Sequence, residues 1–314
     1  MPVAHIISPI PYANERCVSV IRVKVPASTA NLGPGFDFLG MALDLYDEVT
    51  LSMDEPEDES EPSGEDAQYL ELVQLGINHF YKERGKPVPV LTLTCDRHIP
   101  VGRGLGSSAA AIVAGIAGAD AISGSYLDPA VLVKQAAAVE GHPDNSTPCF
   151  YGGLQVCVQD EGELVNVGLP LPDGLEVALF VPDFALPTHE TRRLLPESLS
   201  RADVVYQSSR AALLVASLAT GKLENLRVAT QDRLHQPARG QLFPQMTDLF
   251  DAALDAGALC AYLSGGGPTI AAWTLGSAEA VRAALAERVE QAGLHGQTFV
   301  CKPSLSGVTV TEED

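Results

Sequence analysis

The stretch PVGRGLGSSAAAIVAG, residues 100–115, restricts the chain more than any other. Glycines at positions 102, 104 and 106 are more than a turn needs and suggest a backbone that sits very close to something. Two serines and an alanine-rich apolar run follow, so the spacing predicts a helix that starts directly from a glycine turn. Two uses fit such a turn. Small residues permit a tight bend and close helix packing. Alternatively, the N–H groups of Gly104, Leu105, Gly106, Ser107 and Ser108 form a nest that, with the helix dipole, faces an anion. In that second use the Ser108 hydroxyl could ligate Mg²⁺, as the serine or threonine of a P-loop does. The common phosphate fingerprints do not fit. No lysine follows the glycines, Pro100 separates them from the preceding strand, and GxSxG is absent.

The rest of the pattern reads as α+β. CVSVIRVKVPAS alternates apolar and polar residues and is expected to end as a strand at Pro26; DEVTLSM and VPVLTLTCDR read as further strands. AQYLELVQLGINHFYKERG has helical spacing with a stop at Gly85, and DPAVLVKQAAAVEG is a helix with Asp128 as N-cap and Pro129 in its first turn. From Tyr151 the texture changes to short strands (GGLQVCVQD, ELVNVGLP, LEVALFVP). Helical blocks follow over 201–220 and 246–256, then a strand–glycine loop–strand in LCAYLSGGGPTIAAWTL and a helix in SAEAVRAALAERVEQAG. This irregular alternation favours α+β over a doubly wound parallel sheet, with no internal repeat and a domain boundary between 165 and 175.

Charge and cysteine usage narrow the function classes. A net charge of -20 leaves no basic surplus to neutralise a nucleic acid, although a local nest still binds a nucleotide phosphate. The acidic run DEPEDESEPSGED reads as a solvated connecting loop. Six scattered cysteines, Cys17, Cys95, Cys149, Cys157, Cys260 and Cys301, form no CxxC pair and read as buried thiols. The opening MPVAHIISPIPYANER is too short and too broken by proline for a signal peptide or a span, so a cytoplasmic location and no membrane partner are expected.

Four motifs occur in order: PASTANLGPGFDFLGMAL, PVGRGLGSSAA, EGHPDN and LSGGGPT. This set resembles the GHMP kinase superfamily, and the opening motif with GHPDN resembles its homoserine kinase branch, over nearly the whole length from Val18 to Ala272. The resemblance implies a two-domain α+β fold: an N-terminal mixed-sheet nucleotide-binding domain over 1–170 and a C-terminal ferredoxin-like α/β domain over 171–314, with the active site between them. It implies ATP and L-homoserine as substrates, Mg²⁺ as cofactor, and a homodimer.

By the same resemblance Pro100, Val101, Gly102, Arg103, Gly104, Leu105, Gly106, Ser107, Ser108, Ala109 and Ala110 wrap the triphosphate. Ser264, Gly265, Gly266 and Gly267 approach it from the second domain. Ser108 and Glu140 match the Mg²⁺ ligands. Asn31 and Asp37 match the residues for the hydroxyl and ammonium ends of the amino acid, Arg192 and Arg239 match the arginines for its carboxylate, and Thr188 matches a substrate-binding threonine. Arginine suits a carboxylate because its planar fork donates two parallel hydrogen bonds. His142, Asp144 and Asn145, in the GHPDN loop, match substrate-contacting residues. Either Asp144 accepts the hydroxyl proton, or the site only orients the hydroxyl while Asn145 stabilises transition-state charge. Two other readings stand beside this one: another small-alcohol kinase of the superfamily, acting on mevalonate, a diphosphocytidyl-methylerythritol or threonine, and a catalytically silent ligand sensor. The two arginines and Asp37 favour a zwitterionic substrate.

Overall fold

A computed structural model of the protein describes residues 20–53, 62–186 and 188–313. The opening segment with Cys17, and residues 54–61 of the acidic run expected as a loop, lie outside the described residues. Val20–Asn31 (β1) and Gly35–Ser52 (β2) form a long antiparallel hairpin. Gly64–Glu83 (α1) leads to Thr92–Asp96 (β3), which pairs with the far end of β2. The glycine turn then opens Ser107–Ile122 (α2), followed by Pro129–Glu140 (α3) and Pro143–Tyr151 (α4). The Asp128 carboxylate caps α3 by accepting from the Ala130 N–H, as its sequence indicates. A second hairpin, Leu154–Asp160 (β4) and Glu163–Leu169 (β5), completes this half of the chain.

The chain then builds a separate sheet. Leu175–Pro182 (β6) is followed by the helices Thr188–Arg193 (α5), Arg201–Thr220 (α6), Leu226–Ala229 (α7), Gln236–Arg239 (α8) and Met246–Asp255 (α9). Cys260–Leu263 (β7), Ile270–Leu275 (β8), Ala278–Gln291 (α10) and Gly296–Cys301 (β9) complete it, in the strand order β7-β8-β6-β9 of a ferredoxin-like unit. Its central strand shows why LEVALFVP is almost wholly apolar. Val177, Leu179 and Val181 face the larger core shared with the first half of the chain, while Ala178 and Phe180 face the core under α9 and α10. Finally Thr309–Glu313 (β10) returns to the first sheet and pairs with Val20–Lys24 of β1.

Two expectations change here. The first strand does not stop at Pro26 but continues to Asn31. Proline lacks the N–H that a regular ladder needs, and the register shifts between Pro26 and Ala27, where β10 has already ended. The first sheet, expected to be mixed, is antiparallel at every described pairing, because its strands are joined as hairpins and returns rather than by parallel crossovers. The cysteines follow the expectation within the described residues: all five are free thiols, four of them buried and Cys95 half-buried. Burial pushes the Cys260 thiol up to about 12.

Small residues let α2 sit between α1 and the sheet. Every residue of α2 except Ser108 is buried. At the α1–α2 crossing the two helices touch through reciprocal glycines. A Cβ on Gly115 would lie 2.1 Å from the Val73 carbonyl oxygen, and one on Gly76 would lie 2.5 Å from that of Ile112. Any side chain at Gly115 must therefore push α1 and α2 apart. Gly115→Val is expected to destabilise the fold by about 3 kcal/mol, the upper end of overpacking costs. Urea unfolding measures it, and a variant as stable as the parent would contradict the close crossing.

Candidate active site

The glycine turn folds as its residues require: Gly102, Gly104 and Gly106 all have positive φ, from 65° to 80°. Gly106 is the N-cap of α2, no side chain caps that helix, and its first turn carries no acidic residue. The helix start is thus left open to an anion. Close approach also serves the protein itself. A Cβ on Gly104 would lie 2.2 Å from the Ser264 carbonyl oxygen, and one on Gly106 would lie 2.0 Å from Ser28 Oγ. Asp47, buried under the turn, accepts from the N–H groups of His98 and Ile99 at 2.6 and 2.8 Å and fixes its entry.

Ser108, the half-buried exception in α2, donates to Glu140 Oε1 at 2.7 Å. Glu140 ends α3, and burial raises its carboxyl above the usual range against the pull of the Ser108 hydroxyl. The GHPDN segment, expected as a loop, is the start of α4, with His142 as N-cap and Pro143 in the first turn. The rigid φ of Pro143 suits that position, and Pro148 lies inside the helix. His142 Nδ1 lies 2.5 Å from Asp144 Oδ1. Burial alone would lower the His142 pKa, but the Asp144 carboxylate outweighs it and raises the imidazole, favouring the imidazolium. Asn145 Oδ1 accepts from Ser28 Oγ at 2.9 Å.

Opposite these groups, the β1–β2 turn is strained. Asn31, Leu32 and Asp37 hold positive φ without being glycine, a conformation kept only where surroundings enforce it. Here Asn31 enforces it: its Oδ1 accepts from the Asp37 N–H at 3.0 Å and its Nδ2 donates to the Gly265 carbonyl at 2.8 Å. The Asp37 carboxylate takes a bidentate pair of bonds from Arg192 of α5, at 2.5 and 2.9 Å. Arg239, at the end of α8, is only 2% exposed. Burial lowers its pKa to about 10, and the charge of Arg192 adds to that. Both guanidiniums approach the ring of Phe36, at 5.2 and 5.4 Å from its centroid. Two like charges around one quadrupole form a ready anion site.

Most of these groups meet in one cleft of about 240 Å³. Of the residues singled out from the sequence, Asn31, Asp37, Val101, Gly102, Gly104, Gly106, Ser107, Ser108, Glu140, His142, Asp144, Asn145, Arg192, Arg239, Gly265 and Gly266 line it. Others sit behind the wall. Leu105, Ala109 and Ala110 are buried in the core. Ser264 is buried, with its hydroxyl on Thr29 Oγ1 and the Gly104 carbonyl. Gly267 closes the turn by donating to the Ser264 carbonyl, and Pro100 is not in the lining. The Arg103 guanidinium donates to the carbonyls of Val101, Pro182 and Asp183, so it ties the turn to the end of β6 rather than facing the cleft. Thr188 begins α5, but its side chain lies outside the described atoms. Gln68, Tyr69, Leu72 and Leu186 also line the cleft and were not singled out. Their helical spacing marks Tyr69 and Leu72 only as apolar positions of α1.

Asp37, His142 and Asp144 bring one ligand atom each within 4.8 Å of one another. Arg192 and the His142–Asp144 contact already engage them, so the Ser108–Glu140 pair is the better set of hard oxygen donors. No described helix is long and apolar enough to cross a membrane.

The pattern of the GHMP kinases N terminal domain matches residues 71–153, and that of the GHMP kinases C terminal matches 214–291. A homoserine kinase of Moorella thermoacetica is 42% identical over 297 residues, covering 92% of this chain and 99% of that protein. The chain belongs to the homoserine kinase family of the GHMP kinases. A second homoserine kinase, from Thermus thermophilus, is 41% identical over 292 residues, covering 89% of this chain and 94% of that one. The crystal structure of homoserine kinase from Cytophaga hutchinsonii superimposes with a TM-score of 0.83 at 28% identity, covering 96% of this chain and 100% of that chain.

Proposed function

We propose that the cleft holds ATP along the glycine turn and transfers its γ-phosphoryl group to the side-chain hydroxyl of L-homoserine. The products are ADP and O-phospho-L-homoserine, an intermediate toward threonine. The carrying observation is that one cleft joins an uncapped helix start to a buried arginine, a second arginine and a carboxylate partner. Such transfer asks for positioning and charge neutralisation more than covalent chemistry. The open N–H groups of α2 suit the phosphates from one side, and Gly265 and Gly266 suit them from the other.

A short zwitterion fits the Asp37–Arg192 pair because it can enter between them without changing the net charge. Its ammonium replaces Arg192 beside Asp37, and its carboxylate replaces Asp37 beside Arg192 and Arg239, with Thr188 at the same end. Asn31 Oδ1 spends one lone pair on the Asp37 N–H and keeps another to accept the substrate hydroxyl. His142, Asp144 and Asn145 face the reacting end. Ser108 and Glu140 would hold Mg²⁺, their oxygens 2.7 Å apart, and bound there it would neutralise charge on the transferring phosphate. We also assign 1–170 and 171–314 as the two domains, and a homodimer working in the cytoplasm without nucleic-acid or membrane partners.

Ser108→Ala is expected to fold and to lose about 100-fold or more in turnover, with a steeper Mg²⁺ requirement. Unchanged turnover at unchanged Mg²⁺ dependence would remove Ser108 from the metal site. Steady-state kinetics test the substrate end. Arg192→Ala and Arg239→Ala should each reduce kcat/KM for homoserine about 10- to 100-fold, since a charge-assisted contact contributes about 1.5–3 kcal/mol, and should spare the KM for ATP. The wild-type enzyme should discriminate against 4-hydroxybutyrate, which lacks the ammonium, and Asp37→Asn should narrow that discrimination. Equal use of both substrates by the wild type would sink the homoserine assignment. Multi-angle light scattering reads the oligomer directly, and a monomer at assay concentrations would refute the dimer.

A further inference from the structure

Arg239 is held from behind by a residue with no place in the cleft lining. His235 is fully buried, and its two ring nitrogens have partners of opposite kind. Nε2 lies 2.8 Å from the Gly33 carbonyl oxygen, and Nδ1 lies 2.9 Å from Arg239 Nη1. A carbonyl can only accept and a guanidinium can only donate, so the proton belongs on Nε2 and Nδ1 is bare. Burial acts in the same direction, lowering the ring to about 4 even with Asp232 Oδ2 at 3.8 Å. The ring is anchored in turn. Asp232 accepts from the N–H groups of His235 and Gln236 at 2.9 and 2.6 Å, pinning the start of α8.

The second donor of Arg239 Nη1 goes to the Gly265 carbonyl at 2.8 Å, so that nitrogen is committed twice. Nε, in contrast, finds no acceptor among the described residues although it is buried. The edge of the guanidinium formed by Nε and Nη2 is the planar fork that matches a carboxylate. We propose that His235 is a positioning residue: as a neutral acceptor it fixes Nη1 and so presents the Nε–Nη2 edge of Arg239 to the carboxylate of the amino-acid substrate. Through Gly33 the same ring ties Arg239 to the turn that carries Asn31 and Asp37. This inference rests on the reading of Arg239 as a carboxylate ligand.

The test compares the wild type with His235→Asn, His235→Leu, Arg239→Ala and the double variant His235→Leu/Arg239→Ala, each checked for fold by circular dichroism and melting temperature. Asn keeps an acceptor near the Nδ1 position, and its homoserine KM should stay within about 3-fold of the wild type. Leu removes the acceptor and should raise the homoserine KM about 10-fold or more, with kcat and the KM for ATP little changed. In the Arg239→Ala background the Leu substitution should add nothing. The proposal is overturned if folded His235→Leu binds homoserine as the wild type does, if Asn is as damaging as Leu, or if Leu costs as much without Arg239 as with it. Where Leu does not fold, His235→Ala carries the same expectation, and added imidazole must restore the KM. An Arg239→Ala variant with normal homoserine KM would instead refute the parent reading, whatever the His235 variants do.

Discussion

Two glycine loops from different sheets meet backbone against backbone, and the site exists only because they do. Gly104 lies against Ser264 and Gly267 so closely that a Cβ would overlap their main-chain atoms. Ser264 Oγ then donates to the Gly104 carbonyl, and the Gly265 carbonyl accepts from both Asn31 and Arg239. One carbonyl therefore sets the position of a residue from the first sheet and a residue from the helices of the second. With phosphate and amino acid bound as proposed, both would be referenced to the same atom, which is what aligning a hydroxyl with a phosphoryl group demands.

The local charge of the cleft runs against that of the chain. A protein with a net charge of -20 concentrates two arginines around Phe36, one of them nearly inaccessible to water. Burial lowers the pKa of Arg239, the charge of Arg192 adds to that, and a ligand carboxylate would relieve both. Asp37 relieves Arg192 meanwhile. The surrounding acidity discourages anions from settling elsewhere on the surface, so the cleft competes with few rivals.

Much of this was legible in the sequence, for identifiable reasons. Glycines at alternating positions announced a backbone in close approach, as at Gly104 and Gly106, and alanine with glycine at close spacing announced a helix that others crowd. The motif residues Ser108, Glu140, Arg192 and Arg239 stand together in one cleft although scattered along the chain. What failed to show in the sequence depended on tertiary partners. Nothing local tells that Arg103 turns back to three carbonyls, or that Leu105 and Ser264 serve behind the wall. Pro26 read as a strand end, yet a register shift absorbs it. Phe36 and His235 gave no signal because an aromatic beside a turn and a single histidine are common in any core.

The return of β10 to the first sheet has a mechanical meaning. The second sheet is inserted between β5 and β10, so two chain crossings join the halves, one over 169–175 and one over 301–309. The later crossing is stitched to β2: Lys302 and Asp44 exchange bonds, Ser304 N–H donates to the Ala42 carbonyl, and Pro303 bridges Leu43. Between those crossings the halves are also fastened by the core they share, to which Val177, Leu179 and Val181 of β6 contribute. The second sheet is therefore an insertion rather than an appendage, and a single cut in either crossing leaves the halves covalently joined through the other.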